Sequence, residues 1–389
     1  MQVCKHLFLG LMGFVLAIHS MAQTDTLKPV RIAVFAPVYL DSVFTNDTYK
    51  PGKNNFPKYI VPGLDFYNGI MLAADSLNAE KVAVEILFYD SKSIEPSLQD
   101  LVINPEMADV SLIIASFNNR SEIKTLADFA LQKNIPLISS TYPNDGGING
   151  NPFFVMVNPT LAAHIEAIYK YLHKTYPVEN IILFRKKGGV EDMIQSTLLK
   201  MNRKTAGLPL KLKTVELADN FTTKEITDNL DSSRQNIVIC GTLNESFGLS
   251  LSKTLRSSKN YPVITIGMPT WEGLKDISKE LTIIYTTPYN FTKNENLLTL
   301  LSDKYKTRFS GKPGEMFLKG FESLYHFTKL LLKYPNGLLN HLSDKEYKLF
   351  NDFDFQPAKL NKESALPDYL ENRKLYFIRK YDGKIKSVN

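Results

Sequence analysis

Residues 30–92 constrain the fold more than any other stretch, because they read as strand, long loop, helix and strand. Residues 30–38 (VRIAVFAPV) form an apolar run of strand length, rich in β-branched side chains. Pro62-Gly63-Leu64-Asp65 then opens a helix with an acid in its first turn. Tyr67, Ile70, Met71, Ala74 and Leu77 fall on one apolar stripe of that helix. Residues 82–90 (VAVEILFYD) supply the next strand, ending in Asp90-Ser91. A strand, a crossover helix and a second strand predict a right-handed parallel βαβ unit.

The pattern continues. Residues 109–116 and 135–139 are strands around a helix started by Asn119 and Glu122, with Ile123, Leu126, Ala127, Ala130 and Leu131 on its buried face. A polar loop over 142–151 reads as a break, after which the alternation restarts. Strands are predicted over 153–157, 180–187, 210–217, 235–242, 263–267 and 282–286. Helices begin at Thr160, Gly188-Gly189, Thr222 and Asn244. Two such runs argue two α/β lobes, each a parallel sheet covered by helices, which suits a chain of 389 residues. Two more helices follow, one lined by Leu297, Leu298, Leu301 and Tyr305, the other by Phe317, Phe321, Leu324, Tyr325 and Leu331. Asp382-Gly383 between two short runs predicts a hairpin. Residues 336–372 carry no readable period.

Composition removes several classes. With 44% hydrophobic and 22% charged residues the chain is an ordinary globular one. Its net charge of +6 is scattered, with no dense basic run, which argues against nucleic acid as a partner. Residues 1–22 read as a cleaved signal peptide: Lys5 and His6, an apolar stretch over 7–18, and a Ser20-Met21-Ala22 exit. A periplasmic or secreted protein is expected. Cys4 lies in that leader, so Cys240, within an apolar run, would be a buried core thiol without a disulfide partner. No Gly-x-Ser-x-Gly elbow and no Gly-rich phosphate loop occurs. His164, His173, His326 and His341 lack metal-ligand spacing. The expectation is a non-enzyme with no cofactor and no metal.

Ile32-Ala33-Val34-Phe35-Ala36-Pro37, Phe66-Tyr67-Asn68-Gly69 with Ala73-Ala74-Asp75, and residues 84–90 followed by Ser91 resemble the opening of the type I periplasmic binding proteins. The branch resembled is the one that includes the branched-chain amino-acid (Leu/Ile/Val-binding) receptors, and the likeness runs in order over 30–335. The resemblance implies two Rossmann-like lobes joined by a multi-segment hinge. Lobe 1 would comprise 28–152 plus 292–335, lobe 2 would comprise 153–291, and 336–389 would return to the hinge and lobe 2. Crossings are expected near 152–159, near 288–293 and after 335.

The resemblance also implies a ligand site at strand ends. In lobe 1 the matching positions are Ser116 and Asn118 after the third strand and Ser140 and Thr141 after the fourth. Hydroxyls and helix N-termini there would hold a carboxylate. Ala115-Ser116-Phe117-Asn118-Asn119 keeps the Ser of the family turn and lacks its Gly, and helix capping by Asn118 or Asn119 is the plainer alternative. In lobe 2, Lys186-Lys187-Gly188-Gly189 replaces an aromatic-Gly turn, Glu272 stands where an acid would hold the ligand amine, and Thr242, Asn244 and Trp271 would face the cleft. The 39–61 loop follows the carboxyl end of a parallel strand, which makes Tyr39, Asp41 and Tyr59 lid candidates. The expected function is a solute-binding protein that closes around a small polar ligand, an amino acid or a relative, for an ABC-type transporter or a sensor in the inner membrane. The alternative is a pseudo-receptor of the same fold acting as a cell-envelope interaction protein.

Overall fold

The computed structural model describes residues 28–45, 48–50, 57–274, 281–359 and 365–388. The expected leader and Cys4 lie outside the described residues. Strand β1, Val30–Ala36, opens the first lobe. Ile32 through Ala36 are completely buried, as expected for a strand covered by helices on both faces. β1 pairs in parallel with β2, Val84–Asp90, on one side and with β3, Val110–Ala115, on the other. Between β1 and β2 runs helix α1, Val61–Ala79, and after β3 comes α2, Arg120–Lys133, capped by the Asn119 side chain. β4, Leu137–Ser139, extends the parallel ladder.

β5, Phe154–Met156, pairs in parallel with β4. The sequence placed this run at the start of lobe 2; it is a first-lobe strand, and the change of lobe follows it. The second lobe begins with α3, Leu161–Thr175, and β6, Asn180–Arg185. It continues through α4 (Gly189–Lys204), β7 (Lys211–Glu216), β8 (Asn236–Cys240), α5 (Glu245–Ser257), β9 (Val263–Ile266) and β10 (Thr282–Thr287). β6 through β10 form a parallel ladder in the order β7-β6-β8-β9-β10. Cys240 is buried in β8, and burial pushes its thiol up to about 12.

The chain then returns to the first lobe. Helices α6, Glu295–Phe309, and α7, Glu315–Lys333, pack there. α7 lies against α1 with the backbones in contact: a Cβ on Gly69 would run into the Phe317 carbonyl, and one on Gly320 into the Phe66 carbonyl. Asp65 fixes the register by accepting from the N–H groups of Gly314 and Phe317 at the start of α7, each at 3.1 Å.

The tail, expected to return to the hinge and lobe 2, is shared between the lobes. β11 (Phe355–Ala358) and β12 (Tyr369–Asn372) complete a seven-stranded first sheet in the order β11-β12-β5-β4-β3-β1-β2. β13 (Tyr376–Tyr381) and β14 (Lys384–Val388) complete a seven-stranded second sheet as an antiparallel hairpin on β10. Asp382 and Gly383 make its turn with φ of 50° and 70°, the left-handed pair that such a two-residue turn demands. Among the described residues, three segments therefore cross between lobes, after β5, after β10 and after β12. They are stitched together: Glu371 accepts from the Thr160 N–H and hydroxyl, both at 2.7 Å, and Asn351 accepts from the Asn290 N–H at 2.6 Å. No helix among the described residues is long and apolar enough to cross a membrane.

Candidate functional site

The carboxyl ends of both parallel sheets face the junction between the lobes, where open α/β sheets take ligands. One cavity of about 380 Å³ lies at that junction, within the size range of small-molecule sites. Its first-lobe wall is made by Pro143 and Asn144, beyond β4, and by Lys319 on α7. Its second-lobe wall is made by His164 on α3, Leu243 beyond β8, and Thr270 and Glu272 beyond β9. Pro288 and Tyr289 of the second crossing close the hinge side. A larger hollow of about 710 Å³ lies between α2 and the 146–151 loop, within the first lobe and away from this junction.

Each polar group in the cavity has a local origin. Pro269 starts a 3-10 turn, Pro269–Glu272, directly after β9. That turn directs Thr270 and Glu272 to the cavity and the indole between them inward. Glu272 is half-buried and accepts from Thr287 Oγ1 at 3.1 Å. Burial, and secondarily the Glu315 carboxylate, raise its pKa, against the pull of Lys319 and Lys380. Lys319 faces it from the other lobe. Burial lowers the lysine pKa, while Glu315 and Glu272 oppose that shift. The Lys319 ammonium lies 4.2 Å from the centroid of the Tyr289 ring, a cation–π distance. His164 is buried and its Nδ1 lies 2.8 Å from Thr286 Oγ1. Burial drops its pKa to about 3, so the ring is neutral at ordinary pH.

Of the positions singled out from the sequence, Glu272 lines this cavity. Trp271 does not: it is completely buried in the second-lobe core, against Gly248 and Gly267. Its expected place on the cleft wall is corrected by the 3-10 turn, which at three residues per turn sets successive side chains about 120° apart and turns this one into the core. Ser116 and Ser140 are buried, and Ser116 Oγ lies 3.1 Å from Thr141 Oγ1, so those two hydroxyls satisfy each other. Thr141 also accepts from the Phe117 N–H at 3.2 Å. Ser140 Oγ is sealed without a partner, while its carbonyl accepts from the Tyr289 hydroxyl. Thr242 donates to Glu191 at 2.5 Å, and Asn244 caps α5 by accepting from the Phe247 N–H at 2.8 Å.

The lid candidates also follow the carboxyl ends of first-lobe strands, but toward the β2 edge of the sheet, where the Leu40 N–H donates to Asp90. Asn118 is exposed and donates to the Tyr39 hydroxyl at 2.6 Å. Tyr39 has φ of 61° and meets Tyr59 edge to face. Asp41 accepts from the Ile94 N–H at 2.7 Å. None of these four borders the interlobe cavity. Sequence reasoning missed Lys319 and His164. The available signal for Lys319 was one cation beside Phe317, Leu318 and Phe321, at a helix position flanked by buried residues. Among the described residues no cluster of His, Cys, Asp and Glu is arranged to hold a metal.

No family model and no curated protein matches this sequence. Solved structures do match. One, assigned to a branched-chain amino acid ABC transporter from Rhodospirillum rubrum, aligns with 92% of this chain and 100% of its own at a TM-score of 0.65 and 12% identity. A branched chain amino acid ABC transporter periplasmic ligand-binding protein from Burkholderia xenovorans LB400 aligns with 92% of this chain and 94% of its own at 0.61 and 12%. LpoA from Haemophilus influenzae aligns with 92% of this chain and 59% of its own at 0.58 and 12%. The protein has the two-lobe α/β fold of the type I periplasmic binding proteins. At these identities the likeness is one of fold.

Proposed function

We propose that this protein is a solute-binding protein that closes around a small polar molecule, an amino acid or a relative, at the junction of its lobes. The observation that carries this reading is the cavity of about 380 Å³ whose walls come from both lobes, with Glu272 on one side. A ligand touching both walls stabilises the closed arrangement by its differential affinity for it. Glu272 would receive the ligand's ammonium group. The protein would work outside the inner membrane, and a membrane transporter or sensor would read the closed state. The proposed activity is binding, without chemical conversion.

The test is a thermal-shift and calorimetric panel of the twenty amino acids, short peptides and muropeptide fragments on the mature protein. A ligand at 100 times its Kd stabilises by about 2.7 kcal/mol. Glu272→Gln should weaken any binder that carries an ammonium group by roughly 10-fold or more. A binder whose affinity ignores that substitution would contradict the role given to Glu272.

A second reading has one observation in its favour: Ser116, Thr141, Thr242 and Asn244 spend their side chains on internal hydrogen bonds. This is what a pseudo-receptor that acts through protein contacts in the cell envelope would look like. It predicts no midpoint shift with any member of the panel.

A further inference from the structure

Along α7 three charged residues, Glu315, Lys319 and Glu322, share a face at spacings of four and three. Glu322 is buried and accounted for, accepting from the N–H groups of Phe350 and Asn351, both at 2.9 Å, and from the Asn351 side chain. Lys380, the other lysine near Glu272, donates to the Glu272 carbonyl at 3.2 Å. Lys319 differs from both. Its ammonium lies over the Tyr289 ring, and among the described residues no carboxylate stands within ion-pair distance of it. Burial already depresses its pKa, so the charged form stands to gain from an added anion. The hydroxyls that would otherwise serve an anion in this lobe are engaged or sealed away.

We infer that Lys319 is the anion-receiving group of the interlobe cavity, so that a ligand carboxylate is held by a helix-borne ammonium of the first lobe instead of by strand-end hydroxyls. This rests on the binding reading above. It defines the ligand class as molecules with a carboxylate for Lys319 and an ammonium for Glu272, presented to opposite walls. A bound carboxylate would also sit beside Tyr289, which belongs to a crossing segment and whose hydroxyl grips the Ser140 carbonyl. Anion recognition and the hinge would therefore meet at one ring.

The experiment compares each amino acid that binds the wild-type protein with its α-carboxamide, which keeps the ammonium and removes the anionic charge. The wild type should prefer the acid roughly 10- to 100-fold. Lys319→Met should erase that preference by weakening the acid alone, and Lys319→Arg should keep most of it. A wild type that binds acid and amide equally overturns the inference without any variant, so a poorly folding Lys319→Met cannot shelter it. Equal weakening of acid and amide in Lys319→Met also overturns it, and marks Lys319 as a structural counter-charge for Glu272 and Glu315. Loss of the acid preference in Ser116→Ala instead would return the anion to the hydroxyls and overturn it too. If no amino acid binds the wild type, the binding reading itself fails, a result distinct from the others.

Discussion

Ser116 Oγ and Thr141 Oγ1 lie 3.1 Å apart, each satisfying the other across the ends of β3 and β4. The two strand-end loops are thereby tied into one piece, and the pair contributes to fold. Ser116→Ala should cost about 1 kcal/mol of stability, because it leaves the half-buried Thr141 hydroxyl with one partner fewer. Ligand affinity should stay within twofold. Ser140→Ala should be neutral or slightly stabilising, since its hydroxyl is buried without a partner. Denaturant midpoints alongside calorimetry check both; a Ser116→Ala protein of unchanged stability that has lost its ligand would reverse this assignment.

Stability should fall in acid through the buried imidazoles. His164 and His326 have pKa values pushed down by burial to about 3 and about 4, against 6.5 for a free histidine. The unfolded chain takes up these protons below about pH 6.5 while the folded chain refuses them, so stability is full above that pH and is lost as pH falls toward the folded values. Glu322 works the opposite way, because burial lifts its carboxyl to about 7 and favours the folded state in acid. Urea midpoints of wild type and His164→Gln measured between pH 7 and 4.5 isolate the histidine. The variant should show the shallower decline, and parallel curves would refute the assignment.

Trp271, the only tryptophan, should emit as a buried indole. A Cβ placed on Gly267 would strike its ring system. Gly267→Ala should therefore destabilise by about 1–3 kcal/mol through overpacking and lower the melting point by roughly 3–10 °C. Its emission should shift to the red in the folded protein. A stable Gly267→Ala protein with unaltered emission would mean that the turn after β9 relaxes at no cost.

Gly320→Ala tests the contact between α1 and α7. The obstacle there is the Phe66 carbonyl, which is backbone and cannot rotate aside. The expected loss is about 3 kcal/mol or more. Because α7 also carries Lys319, the same substitution should weaken the ligand. Unchanged thermal stability would show that the two helices can part without disturbing the first lobe.

The βαβ alternation was legible because buried parallel strands and amphipathic helices have distinct periods, and β1, α1, α2 and α5 follow them closely. Sheet membership was not. Phe154–Met156 is three apolar residues in either lobe, and only its pairing with β4 decides the matter. The tail lacked a period because, as described, it forms one short 3-10 turn, Leu338–Asn340, and short strands that depend on sheets already built. Glu272 was legible as an acid beyond a strand. Lys319 was not, because a single cation within an apolar stretch reads as a solvated one until the second lobe is placed opposite it. Trp271 shows the reverse error: the strand end was right, but the direction of one side chain in a tight turn is not carried by its position along the chain.

The division of the tail between the sheets bears on the order in which the protein can be made. The first sheet needs β11 and β12, and the second needs β13 and β14, the last residues described. A chain emerging from the ribosome therefore cannot finish the first lobe before Tyr369–Asn372 is made, or the second before Lys384–Val388 is made. Its long-range pairings favour slow, late consolidation, with open sheet edges in the interim. A truncation of the β13–β14 hairpin should accordingly leave the edge of β10 exposed and the product prone to association.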